Sequence, residues 1–310
     1  MTPPALFTLG TRGSPLALAQ ANEARRLLAG AHGWETERIA LRVIRTSGDR
    51  IQDRPLAEAG GKGLFTKEID AALIAGEIDA AVHSAKDLPS LMPTGVAIAA
   101  CLRREDVRDA LVSAFSDTIE GLPQGATFGA ASLRRQAQAL RLRPDLRPEL
   151  LRGNVETRLK KAEAGEVGAT LLALAGLKRL GLANRARSIL DLDAFLPAPG
   201  QGAIAITARH ADERARSALA PISDAETSAA LVAERAFLAE LEGSCRTPIA
   251  GLARLESGRL RLRGEVLRLD GSERFAIDAD AAPADADRLG REAGRDLRAR
   301  LPEGVLVRGG

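Results

Sequence analysis

The sequence predicts an α/β protein: two lobes of similar build, each a mostly parallel sheet with helices, followed by a smaller α+β unit. Three observations carry this. In the first hundred residues short apolar strands alternate with helical patterns, the rhythm of βαβ units. After "RREDVRD" (103–109) the same rhythm starts again. From residue 248 the pattern becomes strand–turn–strand–turn–strand with a closing helix. A chain of 310 residues is long for one core and suits two or three domains.

Taken in order, "ALFTLGTR" (5–12) is a buried strand. "SPLALAQANEARRLLAGA" (14–31) is a helix, with Ser14 as N-cap and Pro15 at its first position. "RIALRVIRT" (38–46) alternates as a strand does, and "LFTKEIDAALIAG" (64–76) is helical up to Gly76. "DAAVHS" (79–84) and "GVAIAACL" (95–102) are short buried strands. In the second lobe "ALVS", "ATFGAAS" (126–132), "LRRQAQALR" (133–141), "ELLRGNV" (149–155), "ETRLKKAEAG" (156–165) and "GATLLALAGLKRL" (168–180) alternate strand with helix. "FLPAPGQG" (195–202) is turn-rich, and "AIAITAR" (203–209) after it is a strand with no helix partner of its own, free to return to the first sheet. Residues 224–242 form a long helix. The remainder gives three strands with "ESG" and "DGS" as turns, a helix over 285–301 and a short strand "GVLVR".

Composition narrows the function classes. A hydrophobic fraction of 45% and a charged fraction of 27% are those of an ordinary globular protein. No apolar run approaches the length of a membrane span, and "MTPPALFTLGTRG" lacks the features of a secretory or transit signal, so a cytoplasmic location is expected. A net charge of +3 and 3% aromatics, with no Tyr, disfavour a nucleic-acid binder. Six lysines (62, 67, 86, 160, 161, 178) stand against 38 arginines, so a retained Lys points to a need for a compact ammonium.

Basic residues gather at strand-to-helix junctions. "GTRGSPLALAQ" (10–20) places Arg12 beside the N-cap Ser14. "ASLRRQAQ" (131–138) places Arg134 and Arg135 in the first turn after Ser132, where cations oppose the helix dipole and a bound anion would favour them. "LRGNVETRLKK" (151–161) sets Arg152 and Arg158 around Asn154, and "LKR" (177–179) adds Arg179. In "HSAKDLP" (83–89) Lys86 and Asp87 fall on a loop at the carboxyl end of a strand, the edge where open α/β sheets bind ligands. Each feature alone is also a capped turn or a solvated face. Together they suggest a cleft for a polyanionic small molecule, held by guanidinium forks.

"LEGSCRTPIAG" (241–251) holds one of only two cysteines. Its Cys245 could be a disulfide half, a buried filler, a nucleophile or an attachment point. A reducing compartment disfavours the disulfide. His32, His83 and His210 lie in unrelated patterns, which disfavours a Cys–His hydrolase. Metal binding lacks a second Cys or clustered His. Flanked by Gly243, Ser244 and Arg246, the thiol reads as a loop residue of lowered pKa or as packing. Cys101, inside "VAIAACL", fits the buried filler better.

"TRGSPLALAQ", "GGKGLFTKEID", "AVHSAKDLP", "SLRRQ", "LRGNVETRL", "LAGLKRLG", "LPAPGQGA" and "EGSCRTPIAG" together resemble the porphobilinogen deaminase family in order and spacing, from residue 6 to about 250. The resemblance implies two type II periplasmic-binding-protein-like α/β domains, residues 1–102 with 203–222 and residues 103–202, and a smaller α+β domain over 223–310. It implies a dipyrromethane cofactor bound through a thioether to Cys245, extended by four porphobilinogen units with loss of ammonia. The product would be hydrolysed off as 1-hydroxymethylbilane. Further cofactor contacts would come from Ser84, Lys86, Asp87, Ser132, Arg134, Arg135, Arg158, Gly176 and Ser244. Arg12, Ser14, Lys62, Phe65, Arg152, Asn154, Arg179 and Gln201 would bind substrate. Asp87 would be catalytic, contacting pyrrole N–H groups and stabilising the azafulvene cation left when ammonia departs. The partner implied is the small molecule porphobilinogen; no metal, nucleic acid or membrane is expected, and the chain is expected to be a monomer. Where the family pattern before "SLRRQ" has Gly-Thr-Ser, this chain has Gly129, Ala130 and Ala131. A non-enzymatic two-lobed binding protein is the rival reading, but it leaves Cys245 and the third domain unexplained.

Overall fold

The structure is a computed structural model that describes residues 5–50, 63–241 and 247–306. Strand β1 (Phe7–Thr11) is followed by α1 (Pro15–His32), β2 (Ile39–Val43), α2 (Ser47–Arg50), α3 (Lys67–Ile74), β3 (Ala80–Ser84) and β4 (Val96–Cys101). Then come β5 (Asp109–Val112), β6 (Thr127–Gly129), α4 (Leu133–Leu142), β7 (Arg147–Glu149), α5 (Val155–Glu163), β8 (Ala169–Ala173), α6 (Leu174–Arg179) and β9 (Ser188–Ile189). The chain continues through β10 (Ile204–Arg209), α7 (Glu213–Leu219), α8 (Ala225–Glu240), β11 (Ile249–Glu256), β12 (Arg259–Leu267), β13 (Arg274–Ala281) and α9 (Ala286–Ala299).

The first sheet has the order β2-β1-β3-β10-β4 and the second β7-β6-β8-β5-β9. The two orders are the same. In each, the first strand pairs in parallel with the second and third, and an inserted strand runs antiparallel between the third and fourth. The inserted strand is the one that has just crossed from the other sheet: β5 follows β4, and β10 follows β9. This is the type II periplasmic-binding-protein topology. Central strands are buried along their length, as in β3 and β8, which explains their continuous apolar sequences.

Phe7, Leu9, Leu28, Ile39, Ile204 and Ile206 form the core between α1 and the first sheet. The second sheet has a core on each face, around Leu159 and Leu177 on one side and Phe128 and Phe195 on the other. The third sheet, β11-β12-β13, is antiparallel and carries α8 and α9. Its core centres on Phe237, a fully buried ring whose removal from water contributes about 2–3 kcal/mol. The turn between β11 and β12 has Ser257 and Gly258 at φ of 48° and 79°, the two left-handed positions a tight hairpin requires.

Three elements differ from expectation. The strand expected over 149–155 runs instead over Arg147–Glu149, and Val155 already opens α5 behind its Asn154 cap. The apolar run over 168–180 is a strand only to Ala173; residues 174–179 form α6, so Arg179 lies at a helix end rather than a strand end. Short apolar runs do not distinguish the two states by periodicity. The strand expected over 304–308 is absent from its described part, where residues 303–306 form turns and bends; the last four residues lie outside the described ones.

Candidate active site

The carboxyl ends of β1 and β3 in the first sheet and of β6, β7 and β8 in the second carry the expected site residues. Arg12 directly follows β1. Its guanidinium carbon stands 4.1 Å from the centre of the Phe65 ring, a cation–π contact, and its Nη1 lies 3.7 Å from Asp87 Oδ2. Three side-chain oxygens cap helices. Ser14 accepts from the Ala17 N–H at 3.3 Å, Ser132 from the Arg135 N–H at 3.4 Å, and Asn154 from the Thr157 N–H at 2.9 Å. Each cap is worth about 1 kcal/mol.

β3 runs into a single tight turn, Ala85–Asp87. Ser84 Oγ is bonded to the Gln20 side chain of α1 at 2.9–3.0 Å. Lys86 Nζ donates to Gln201 Oε1 at 3.3 Å. Desolvation of the ammonium, then Arg135, push the Lys86 pKa down; Asp87 and Asp109 pull it up, Arg158 lowers it, and the balance lies at about 8. The side chain still meets water in the open cleft, which screens these fields, so the downward direction is what bears on the chemistry. Burial first, then Arg135, lowers the Arg158 pKa to about 10, against the pull of Asp87; its Nε reaches only the Asn154 carbonyl, at 3.4 Å.

Arg134 and Arg135 are both buried, and both donate to Asp109: Arg134 Nη2 to Oδ2 at 2.7 Å, Arg135 Nη2 to Oδ1 at 2.6 Å. Burial would raise the Asp109 pKa, but the charges and hydrogen bonds of the two guanidiniums hold it well below the usual range. Arg134 Nη1 also donates to Gln138 Oε1 and the Leu196 carbonyl. The Nε atoms of both arginines are buried without a hydrogen-bond partner.

Arg179 is tied across the two lobes, donating to Glu23 of α1 at 3.0 Å and to the Gly202 carbonyl at 3.2 Å. Gly176 is buried in α6, and Arg152 is half-buried just before Asn154. Gln201 is fully buried. The Ala130 N–H donates to the Glu149 carbonyl at 2.9 Å, so that amide does not replace the hydroxyls missing from the Gly129–Ala131 stretch. Lys62, Ser244 and Cys245 lie outside the described residues.

Sequence reasoning missed the buried polar groups beneath this surface. Asp109 opens β5. Glu234, on α8, accepts from Arg104 at 2.6 and 3.0 Å, from the Gly200 N–H and from the Ala253 N–H at 2.8 Å. One signal for Glu234 was present: Ala230, Leu231 and Phe237, at helical spacing, put this carboxylate on the apolar face of its helix.

The arrangement holds five cationic groups, Arg12, Lys86, Arg134, Arg135 and Arg158, against the carboxylates Asp87 and Asp109. Orphaned guanidinium N–H groups and unbalanced charge suit a ligand with several carboxylates, as a dipyrromethane with acetate and propionate arms is. Among the described residues no group of three potential metal ligands occurs, and no helix is long and apolar enough to cross a membrane.

Comparison with known proteins agrees along nearly the whole chain. The family model "Porphobilinogen deaminase, dipyromethane cofactor binding domain" matches residues 7–217, and "Porphobilinogen deaminase, C-terminal domain" matches residues 229–299. The chain is 57% identical over 298 residues to the porphobilinogen deaminase of Nitrobacter hamburgensis, covering 96% of this chain and 94% of that protein. With the enzyme of the same name from Paracoccus denitrificans it shares 54% over 294 residues, covering 95% and 94%. Among solved structures, an ABC transporter periplasmic substrate-binding protein from Coxiella burnetii covers 70% of this chain and 92% of its own, at 13% identity and a TM-score of 0.44. The chain belongs to the porphobilinogen deaminase family.

Proposed function

We propose that the protein is a transferase of the hydroxymethylbilane synthase type, which joins four porphobilinogen molecules head to tail and releases the linear tetrapyrrole 1-hydroxymethylbilane by hydrolysis. The observation that carries this reading is the cation excess around Lys86, Arg135 and Arg158 where the two sheets face each other. A dipyrromethane on Cys245, when bound, supplies the pyrrole carbon at which growth begins. The chain's own residues do the rest. Arg12, Arg135 and Arg158 bind carboxylate arms, and Lys86 adds a compact ammonium between them. Ser84, Ser132, Ser244 and Gly176 line the cofactor side; Ser14, Lys62, Phe65, Arg152, Asn154 and Arg179 serve the substrate side, whereas Gln201, expected there too, is fully buried and acts through Lys86 instead. Asp87 is the acid–base group: it stabilises the positive charge left on porphobilinogen when its amine departs as ammonia, and takes up a pyrrole proton.

On this reading the chain acts as a cytoplasmic monomer of three domains, 1–102 with 203–222, 103–202, and 223–310. The intact mass of the denatured protein, beside that of Cys245→Ser, tests the reading. The wild type should be heavier than its sequence by two porphobilinogen units less two ammonias, and the variant should not. A wild type that stays unmodified after incubation with porphobilinogen would leave a two-lobed binding protein as the better account.

A further inference from the structure

We propose that Asp109, fully buried and outside the cleft surface, is a positioning residue that aims the cleft's cations, holding Arg134 and Arg135 directly and Lys86 through the side chain of Gln201. The identification of the cleft's ligand rests on the function proposed above; the geometry does not. Asp109 is 0% exposed, as is Gln201. A buried carboxylate persists only when paired and hydrogen-bonded, and Asp109 has three partners. Besides the two guanidiniums, Gln201 Nε2 donates to its Oδ1 at 3.0 Å and to the Val107 carbonyl at 2.8 Å. Both of these partners are acceptors, which fixes the amide orientation and turns Gln201 Oε1 toward Lys86 Nζ, 3.3 Å away. Asp109, on the second sheet, therefore reaches a lysine on the first through one rigid amide.

The charges around Lys86 show what this relay opposes. Arg135 from α4 and Arg158 from α5 repel its ammonium, while Asp87 from its own turn and Asp109 from β5 attract it. Asp109 also neutralises Arg135, the member of the arginine pair that would otherwise face Lys86 uncompensated. Replacing it with Asn keeps the shape, removes the charge and strengthens the repulsion. The sign is definite: the ammonium becomes harder to hold, and the Lys86 midpoint moves down. Gln201→Leu deletes the acceptor and moves it the same way without touching Asp109.

The test is amine acylation of Lys86, read peptide by peptide by mass spectrometry across pH, in full-length chains that all carry Cys245→Ser so that they share one unmodified state. The expected result is a midpoint about one pH unit lower in Asp109→Asn and Gln201→Leu than in the parent. General loosening of the fold would instead raise it toward the value of a free lysine. Chains that retain Cys245 give a second readout. Asp109→Asn should gain the two-pyrrole mass at least tenfold more slowly on incubation with porphobilinogen, while keeping a cooperative thermal transition. An unchanged midpoint in both variants overturns the relay. If Asp109→Asn does not fold, Gln201→Leu decides alone. A parent that never gains the mass sinks the proposed function, while the midpoints still judge the positioning role.

Discussion

His83 shows at the scale of one residue how the site's neighbourhood constrains pH behaviour. It lies on β3, buried, with Nε2 3.2 Å from Thr207 Oγ1. Burial, then the nearby Arg12, lower its pKa from 6.5 to about 4. The unfolded chain therefore binds a proton that the folded chain refuses between those values, so stability is lost as pH falls from 6.5 towards 4. The contribution is about 3 kcal/mol. Urea unfolding at pH 7 and pH 4.5 should show a smaller loss for His83→Gln than for the wild type; parallel losses would remove His83 as a cause. Asp87 carries a different expectation. Asp87→Asn should keep the mass of the anchored pyrroles yet lose turnover by about 10²–10⁴-fold, measured as porphobilinogen consumption. Near-normal turnover would refute its acid–base role. Residues such as Ser14, Ser132 and Asn154 were legible because a cap is a local device. Asp109 was not, because its partners lie 25, 26 and 92 positions away along the chain.

Elements were legible wherever local pattern and burial agree. The Pro15 start of α1, the buried run of β3 and the hairpins of the third sheet all follow from such agreement, whereas β4, expected to be buried throughout, is only partly buried over residues 97–99. The run over 168–180 was not, because Ala, Leu and Gly suit a buried strand and a buried helix alike. The turn over 197–202 is the element on which the site leans most. Gly200 sits at φ +77°, and a Cβ there would lie 2.9 Å from the Lys86 amide nitrogen and 3.0 Å from the Ala85 carbonyl carbon. Both contacts are with backbone that cannot swing aside. Gly200→Ala should therefore cost about 1–2 kcal/mol for the left-handed conformation alone and displace the 85–87 turn. A fall in both melting temperature and turnover is expected. A fall in melting temperature alone would mean that the turn relaxes without moving Lys86.

At the scale of the whole molecule, one buried carboxylate joins what the sequence presents as separate units. Glu234 of α8 is fully buried and binds Arg104, on the first crossing between the sheets, the Gly200 N–H on the second, and the Ala253 N–H of the third sheet. Arg104 itself retains a second acceptor, the Gln201 carbonyl at 2.9 Å. The two halves of this ion pair are therefore unequal. Arg104→Leu strands one carboxylate that still has two backbone donors. Glu234→Leu leaves the part-buried Arg104 guanidinium with the Gln201 carbonyl alone and strands two backbone N–H groups, each of which costs about 1–3 kcal/mol when left unpaired. Loss of one partner of a buried pair costs about 3–5 kcal/mol, so Glu234→Leu should lie at or above the top of that range and Arg104→Leu at its lower end. The double variant should be less destabilised than the sum of the singles, since it leaves no unpaired charge. Because the lost contacts are those that fasten the third sheet to both crossings, urea unfolding of Glu234→Leu should also separate into two transitions, read by far-UV circular dichroism. Equal costs for the singles, with one shared transition, would show that the ion pair alone matters and that the third unit is held by its apolar contacts, Val107 and Leu196 against Ala250 and Leu252.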